Sequence, residues 1–393
     1  MAAQFLVGAP ILVGGEWRTG EGVLIEGGRV VATLPDRERV DAERVSLPPD
    51  AWLAPGLVDI QVNGGGGVLF NDEPSLQAAR AMVAAHRRLG TTAILPTLIT
   101  DTPATMRAAA EVVRAAAGPG SGILGIHYEG PFLSRARPGV HAAELIRPPS
   151  EADLVLLEGL AAGLDGRVLV TLAPEMVDDD SLRRLAAAGI VLSAGHSAAP
   201  WARIETARAA GLTGFTHLFN AMPPMQAREP GIAAAALLDP DSWCGVIADG
   251  IHVHAAMLRL LLACKPRDRI MLVSDSMPTV GTGLGAFLLQ GRTILRQDGR
   301  LTTQDGTLAG ADICLADAVR WCVRALGVAP AQALGMASAV PAAFLRLDDR
   351  IGRIAPGCQA DLLLLSGELE TLGTWLAGSW CGEPGVLPAR AAA

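Results

Sequence analysis

Residues 190–222, IVLSAGHSAAPWARIETARAAGLTGFTHLFNAM, decide how the chain is read. A short apolar run ends at Gly195-His196, an Ala-rich amphipathic segment covers 202–210, and a second apolar run ends at His217. That is the pattern of strand, helix, strand. In a parallel sheet with helical crossovers, both histidines then arrive at the carboxyl ends of neighbouring strands, the edge where such sheets hold ligands and metals. Two histidines in successive units point to one shared site.

Outward from this unit the alternation is regular. Strands are expected at 57–61, 92–96, 123–128, 168–172, 190–195, 214–217, 243–247 and 270–274. Helices are expected between most of them, at 76–89, 104–117, 151–164, 181–188, 202–210 and 254–264. Eight apolar strands separated mostly by helices predict an α/β fold, a (β/α)8 TIM-like barrel. An open doubly wound sheet has the same periodicity and is the competing architecture. After the eighth strand come a glycine-rich segment at 280–285, a β excursion over 287–301, and helices near 313–326 and 331–336.

Both ends of the chain read as short strands broken by glycine, at 4–13, 22–26, 29–34 and 44–47, and again at 360–365, 372–376 and 379–381. The expected division is therefore a small β-sandwich domain built from both termini, residues 1–54 plus 352–393, around a (β/α)8 barrel at 55–351.

Of the 393 residues, 50% are hydrophobic and 18% charged, with seven Phe and one Tyr, so a large core must be filled by Leu, Val, Ile and Ala. The formal charge of -8 argues against general nucleic-acid binding, which needs a basic surface. It leaves room for one small anionic ligand, because a single arginine or a histidine pair makes a local positive site. Lys265 is the only lysine, so a carbamylated lysine bridging two metals would have to be that residue. Six scattered cysteines without CxxC spacing, no leader-like N-terminus and no apolar run of membrane length give the expectation of a cytoplasmic protein that neither crosses nor binds a membrane.

Six of the seven histidines, His127, His141, His196, His217, His252 and His254, fall between strand three and the helix after strand seven. Neutral imidazole offers a lone pair near neutral pH, so His196 and His217 can converge on one ion. Core histidines each satisfied by a backbone carbonyl are the alternative. The third strand ends His127-Tyr128-Glu129, and alternation puts His127 and Glu129 on one face. Glu129 is then a third, anionic ligand, with His127 a group that could orient it; a glutamate capping the next turn is the bland reading. Asp275 at the eighth strand end is the candidate general base, or else a turn-forming aspartate. Gln61 and Asn63 share a face at the first strand end and are poor ligands for a hard divalent ion, which argues for one strongly bound metal. Arg228, in the loop after His217, is a candidate anion clamp or a solvated surface arginine. His141 and His252 are further polar candidates, and Leu308-Ala309-Gly310 a candidate backbone wall of the pocket.

These words of sequence carry a resemblance: PGLVDIQVNG at 55–64, GIHYEGPFLS at 125–134, GVH at 139–141, SAGHS at 193–197, FTHLFNAM at 215–222 with REPG at 228–231, DGIHVH at 249–254, LVSDSMP at 272–278, TLAG at 307–310 and GRIAPGCQADLLLL at 352–365. Over essentially its full length the chain resembles the N-acetylglucosamine-6-phosphate deacetylase family of the amidohydrolase superfamily. The resemblance implies that Glu129, His196 and His217 bind one divalent ion per subunit, zinc first, ferrous iron or another divalent ion otherwise. It implies Asp275 as proton shuttle and His141 as the group that polarises the acetyl carbonyl and positions the sugar. Asn220, Ala221, Arg228 and His252 would gather the substrate, the last two at its phosphate, in a homodimer where His252 can come from the neighbouring subunit. Gln61 and Asn63 align the chain with single-metal members. The implied reaction is hydrolysis of N-acetyl-D-glucosamine 6-phosphate to D-glucosamine 6-phosphate and acetate. The rivals are a relative acting on N-acetylgalactosamine 6-phosphate or an unphosphorylated N-acetyl sugar and, from a different class, a non-catalytic sugar-phosphate-binding protein.

Overall fold

The crossover helices start where the sequence supplies a cap. Ser75, Thr102, Ser150 and Asp178 each accept a hydrogen bond from the backbone N–H three residues on, satisfying donors that no intrahelical carbonyl reaches. Helices Leu76–Arg88, Pro103–Ala116, Glu151–Gly163 and Asp179–Ala187 follow. Each turns an apolar stripe inward, through Met82, Met106, Leu157 and Leu185 among others.

The computed structural model describes residues 2–382 and 385–387. The remainder, including 383–384 and 388–393 of the segment expected in the terminal β unit, lies outside the described residues. Parallel strands form at Leu57–Val62, Thr91–Ile99, Gly125–Glu129, Arg167–Leu172, Val191–Ala194, Gly214–Phe215, Trp243–Val246 and Ile270–Leu272. Each pairs in parallel with its sequence neighbour. The ring closes between first and eighth strands: Val62 bridges Ser276 in parallel, and the backbone N–H groups of Asn63 and Gly64 both donate to the Ser276 carbonyl at 3.0 Å. Buried Asp59 ties the same seam, its Oδ1 accepting from the N–H of Ser274 at 3.3 Å and of Gln61 at 3.2 Å. Burial pushes the Asp59 carboxyl up to about 7. The closed barrel, and not an open doubly wound sheet, is the architecture.

Two helices escape a reading based on amphipathic spacing. Gly231–Leu238, GIAAAALL, is buried along all but its last residue, so it carries no polar face to reveal its period. Ala339–Phe344 is short and similarly apolar. The run expected as one strand over 4–13 is two, Gln4–Val7 and Ile11–Val13, broken at Gly8, whose φ of +94° is glycine territory.

The terminal strands form two sheets, the first from the N-terminal segment alone and the second from both ends. One has the order Arg29–Pro35, Glu21–Glu26, Gln4–Val7, Glu43–Ser46; the other runs Ser379–Gly382, Thr371–Leu376, Leu362–Leu365, Trp52–Pro55, Ile11–Val13, Glu16–Arg18. Leu6, Ile11, Val23, Ile25, Leu53, Leu362, Leu364 and Trp375 meet in one apolar core of their own. Trp52–Pro55 lies antiparallel to Leu362–Leu365 and leads directly into the first barrel strand. After the eighth strand, Ala286–Leu289, Arg292–Gln297, Arg300–Thr302 and Leu308–Ala311 make an antiparallel excursion that brings Leu289 and Leu308 to the barrel mouth. Lys265 is structural: its buried ammonium donates to the carbonyls of Ala236 and Asp239 and to Ser242 Oγ. Among the described residues, no helix is long and apolar enough to cross a membrane.

Candidate active site

A cavity of about 610 Å³ opens at the carboxyl end of the barrel, lined by Asn63, Glu129, Arg137, His141, His196, His217, Asn220, Ala221, His252 and Asp275 among others. His196, His217 and Asp275 all lie past the strand ends, and His217, expected as the last residue of its strand, is outside it. Those strands stop at Ala194, Phe215 and Leu272. The three residues follow in loops with φ of +47°, +32° and +50°, and Phe219 and Ala221 are also positive. Left-handed backbone at non-glycine residues costs of the order of 1–3 kcal/mol each and persists where surrounding structure enforces it. Here it turns side chains that would otherwise lie along the barrel wall onto one point.

Three groups meet there. His217 Nε2 lies 3.0 Å from Glu129 Oε1 and 3.0 Å from His196 Nε2, and His196 Nε2 is 3.3 Å from Glu129 Oε1. All three side chains are buried. His196 Nδ1 is 2.9 Å from the Arg137 carbonyl, which can only accept, so the proton of the neutral ring is on Nδ1 and the Nε2 lone pair faces the cluster. Burial opposes ionisation of Glu129, but the two neighbouring imidazoles, His196 and His217, outweigh it and hold the carboxyl well below its ordinary value. Burial disfavours charge on His217 too, yet its bond to Glu129 wins and raises it.

His141 also reaches this group, offering with Glu129 and His196 a second set whose ligand atoms lie within 4.8 Å of one another. Its tautomer separates it from the other two. His141 Nδ1 accepts from the Thr100 backbone N–H at 3.3 Å and is 2.8 Å from Thr100 Oγ1. The ring proton is therefore on Nε2, a donor and not a lone pair. Burial, reinforced by His196, keeps this ring neutral, well below the usual histidine value. The more tightly gathered set is Glu129, His196 and His217, within 3.3 Å of one another.

Asp275 faces that set across an amide pair. Asn63 Nδ2 donates to Asp275 Oδ1 at 2.7 Å, and Gln61 Nε2 lies 3.2 Å from both Asp275 Oδ1 and Glu129 Oε1. Gln61 and Asn63 thus hold the two carboxylates, a task that their uncharged side chains do not advertise in the sequence. Burial, then the Glu129 charge, pushes the Asp275 carboxyl up to about 6. Behind it Gly310, at φ +67°, admits no side chain: a Cβ would come within 2.5 Å of Met277 Cγ and 3.0 Å of the Asp275 carbonyl.

The remaining expected residues divide. Leu308 and Gly310 line the cavity, whereas Ala309 packs into the core of the β excursion. Asn220 lines it and its Nδ2 donates to the His217 carbonyl at 3.1 Å. The hydrogen bonds of His127 go to threonines and not to Glu129. The ring lies beneath, with Nε2 2.7 Å from Thr171 Oγ1 and Nδ1 3.4 Å from Thr97 Oγ1, and burial depresses it to about 4. His252 lines the cavity, its Nδ1 donating to Asp249 Oδ2 at 2.6 Å. Arg228 is exposed and outside the cavity lining. Thr100, Arg137 and Asp249 are the positions that sequence reasoning passed over. Asp249, three residues before His252 in DGIHVH, is the one with a legible signal.

Known proteins share this fold. A model described as "Amidohydrolase family" matches residues 52–381. The chain is 40% identical over 327 residues, 83% of its length and 82% of the relative's, to N-acetylgalactosamine-6-phosphate deacetylase of Shewanella sp. (strain ANA-3). It is 35% identical over 378 residues, 91% of its length and 90% of the relative's, to N-acetylglucosamine-6-phosphate deacetylase of Homo sapiens. The crystal structure of N-acetylglucosamine-6-phosphate deacetylase from Pasteurella multocida superposes with a TM-score of 0.91 at 30% identity, covering 97% of this chain and all of that one. With a matched region spanning the whole barrel and the cavity residues at its carboxyl end, the chain belongs to the amidohydrolase family.

Proposed function

We propose that the chain hydrolyses the acetamide of N-acetyl-D-glucosamine 6-phosphate, giving D-glucosamine 6-phosphate and acetate. The observation that carries this reading is the meeting of Glu129, His196 and His217 within 3.3 Å of one another, with Asp275 held opposite them by Asn63 and Gln61. It is supported by the deacetylase relatives named above.

Glu129, His196 and His217 are the residues that would hold the ion, and the donor set fits: two imidazoles and an anionic oxygen, buried, with the His196 lone pair directed inward. Zinc suits it best, with ferrous iron next. Such an ion supplies Lewis-acid polarisation and a water of lowered pKa. The chain does the rest. Asp275, anchored through Oδ1, has its other oxygen for the attacking water's proton and later delivers that proton to the departing nitrogen. His141 donates from Nε2 to the acetyl oxygen as it gains negative charge. Asn220, Ala221, Leu308, Gly310 and His252 enclose the sugar. A homodimer and a cytoplasmic setting belong to the same proposal, the latter in keeping with six free cysteines. So does the division into 1–54 plus 352–393 and 55–351, for which the separate terminal core speaks.

The test is acetate release from the phosphorylated amino sugar, measured with metal analysis before and after chelation. Release that needs the ion is expected; no release from a fully loaded protein would leave only a binding role. The galacto epimer, the substrate in the name of the 40% identical Shewanella relative, is the comparison substrate. Running both epimers side by side separates them.

A further inference from the structure

Asn63, whose amide holds Asp275, is followed directly by four glycines, Gly64-Gly65-Gly66-Gly67. Glycine loses more conformational freedom on folding than any other residue. A side chain at the edge of such a run keeps its aim only if the run is pinned from outside. On one side the pins are backbone: the N–H groups of Gly66 and Gly67 donate to the Val280 and Pro278 carbonyls, each at 2.9 Å. On the other side lies the last turn of helix Leu76–Arg88, so close that a Cβ at Gly65 would come within 2.6 Å of His86 Nε2.

His86 is the one histidine outside the stretch 127–254. It is fully buried and does not line the cavity. Its Nε2 lies 2.9 Å from the Gly64 carbonyl, which can only accept, so the ring proton is on Nε2. Its Nδ1 is buried with no partner among the described residues. Burial keeps the ring neutral, below the ordinary histidine value. An imidazole with one nitrogen unsatisfied is a costly filling for a core. What it supplies there is one neutral donor aimed at one carbonyl.

That carbonyl is part of a short relay to Asp275. Gly64 O also accepts from Ser276 Oγ at 3.2 Å, and the same hydroxyl is 3.3 Å from His86 Nε2. The Ser276 carbonyl accepts in return from the N–H groups of Asn63 and Gly64. Ser276 is the chain neighbour of Asp275, and Asn63 is its side-chain partner at 2.7 Å. The φ of +50° at Asp275 is a conformation that surrounding contacts must enforce. His86, Gly64 and Ser276 meet where that enforcement is needed.

Resting on the function proposed above, we propose that His86 is a positioning residue for Asp275. Its Nε2–H fixes the Gly64 carbonyl and, through it, Asn63 and Ser276, so that the proton-carrying carboxylate stays opposite Glu129, His196 and His217. Because His86 lies outside the cavity, it acts on turnover and not on substrate binding.

The test measures kcat, KM, metal content and thermal midpoint for His86→Met, His86→Gln, Asn63→Leu and the double variant His86→Met with Asn63→Leu. His86→Met removes the donor at similar volume and should lower kcat about tenfold, with KM changed less than about twofold and metal content unchanged. His86→Gln, whose amide Nε2 reaches about as far as the imidazole Nε2, should recover most of the loss. In the Asn63→Leu background, His86→Met should cost little further, because both changes act on one carboxylate. Wild-type kcat in His86→Met, equal losses in His86→Met and His86→Gln, or losses that multiply in the double variant would make His86 a packing residue and overturn the proposal. If His86→Met does not fold, His86→Asn takes its place: its amide is too short to reach Gly64, so low kcat beside an active His86→Gln supports the proposal and equal activity refutes it. If the natural chain releases no acetate, the proposed function fails. Hydrogen exchange at the Asn63 and Gly64 amides then decides about His86, faster exchange in His86→Met than in His86→Gln supporting the clamp and equal exchange refuting it.

Discussion

Replacing Asn63 by leucine tests whether catalysis depends on how Asp275 is held. Asn63 Nδ2 gives Asp275 Oδ1 its shortest hydrogen bond, 2.7 Å, while Asn63 Oδ1 is buried without a partner. Leucine keeps the volume, deletes the donor and also deletes the unsatisfied acceptor. A hydrogen bond to a charged group is worth about 1.5–3 kcal/mol, and about 1.4 kcal/mol is a factor of ten in rate, so kcat/KM should fall about ten- to hundredfold. Removing an unsatisfied buried acceptor relieves a cost of about 1–3 kcal/mol, which offsets the lost bond, so thermal stability should barely move. The pH profile supplies a second readout. Burial and the Glu129 charge push Asp275 up to about 6, and the Asn63 bond pulls against them. A base works only when ionised, so activity is lost as pH falls through its pKa; without Asn63 that pKa rises, and the acid limb should move to higher pH. A bound cation lowers the limb in both proteins and leaves their order unchanged. The assay is acetate release across pH with metal content matched. An Asn63→Leu enzyme with wild-type kcat/KM and an unmoved acid limb would refute the claim that this amide holds the base.

Other outcomes follow from the same geometry. Asp275→Asn should retain its metal and lose about 10²–10⁴ in kcat, or more because one residue serves both proton transfers; near-normal turnover would remove Asp275 from the mechanism. His141→Asn shortens the donor that Thr100 orients, and kcat should drop by about 10²–10³ with KM less affected, as for loss of an oxyanion donor. Metal retention should weaken as pH falls, because His217, raised above its ordinary value by Glu129, takes a proton that competes with the ion. Metal content after dialysis at a series of pH values measures this, and flat retention across the histidine range would speak against His217 as a ligand.

The alternation of apolar runs and amphipathic segments was enough to give eight strands, because each strand must bury itself and each crossover helix must show one apolar stripe to the sheet. Where an element has no polar side, as in Gly231–Leu238, that logic has nothing to read. The words around Glu129, His196, His217 and Asp275 were legible for a similar reason: ligand-type side chains following apolar strands are rare and conspicuous.

What the sequence by itself determined is the list of groups and the end of the barrel at which they gather, since strand polarity and chain order fix both. The tertiary structure decided how they are used. The left-handed turns at His196, His217 and Asp275, the tautomer of His141 set by Thr100, and the amides of Gln61 and Asn63 across two carboxylates all depend on atoms far apart in the chain. Residue spacing encodes direction along one element; hydrogen-bond partners, and with them proton positions, arise only when separate elements close on one another.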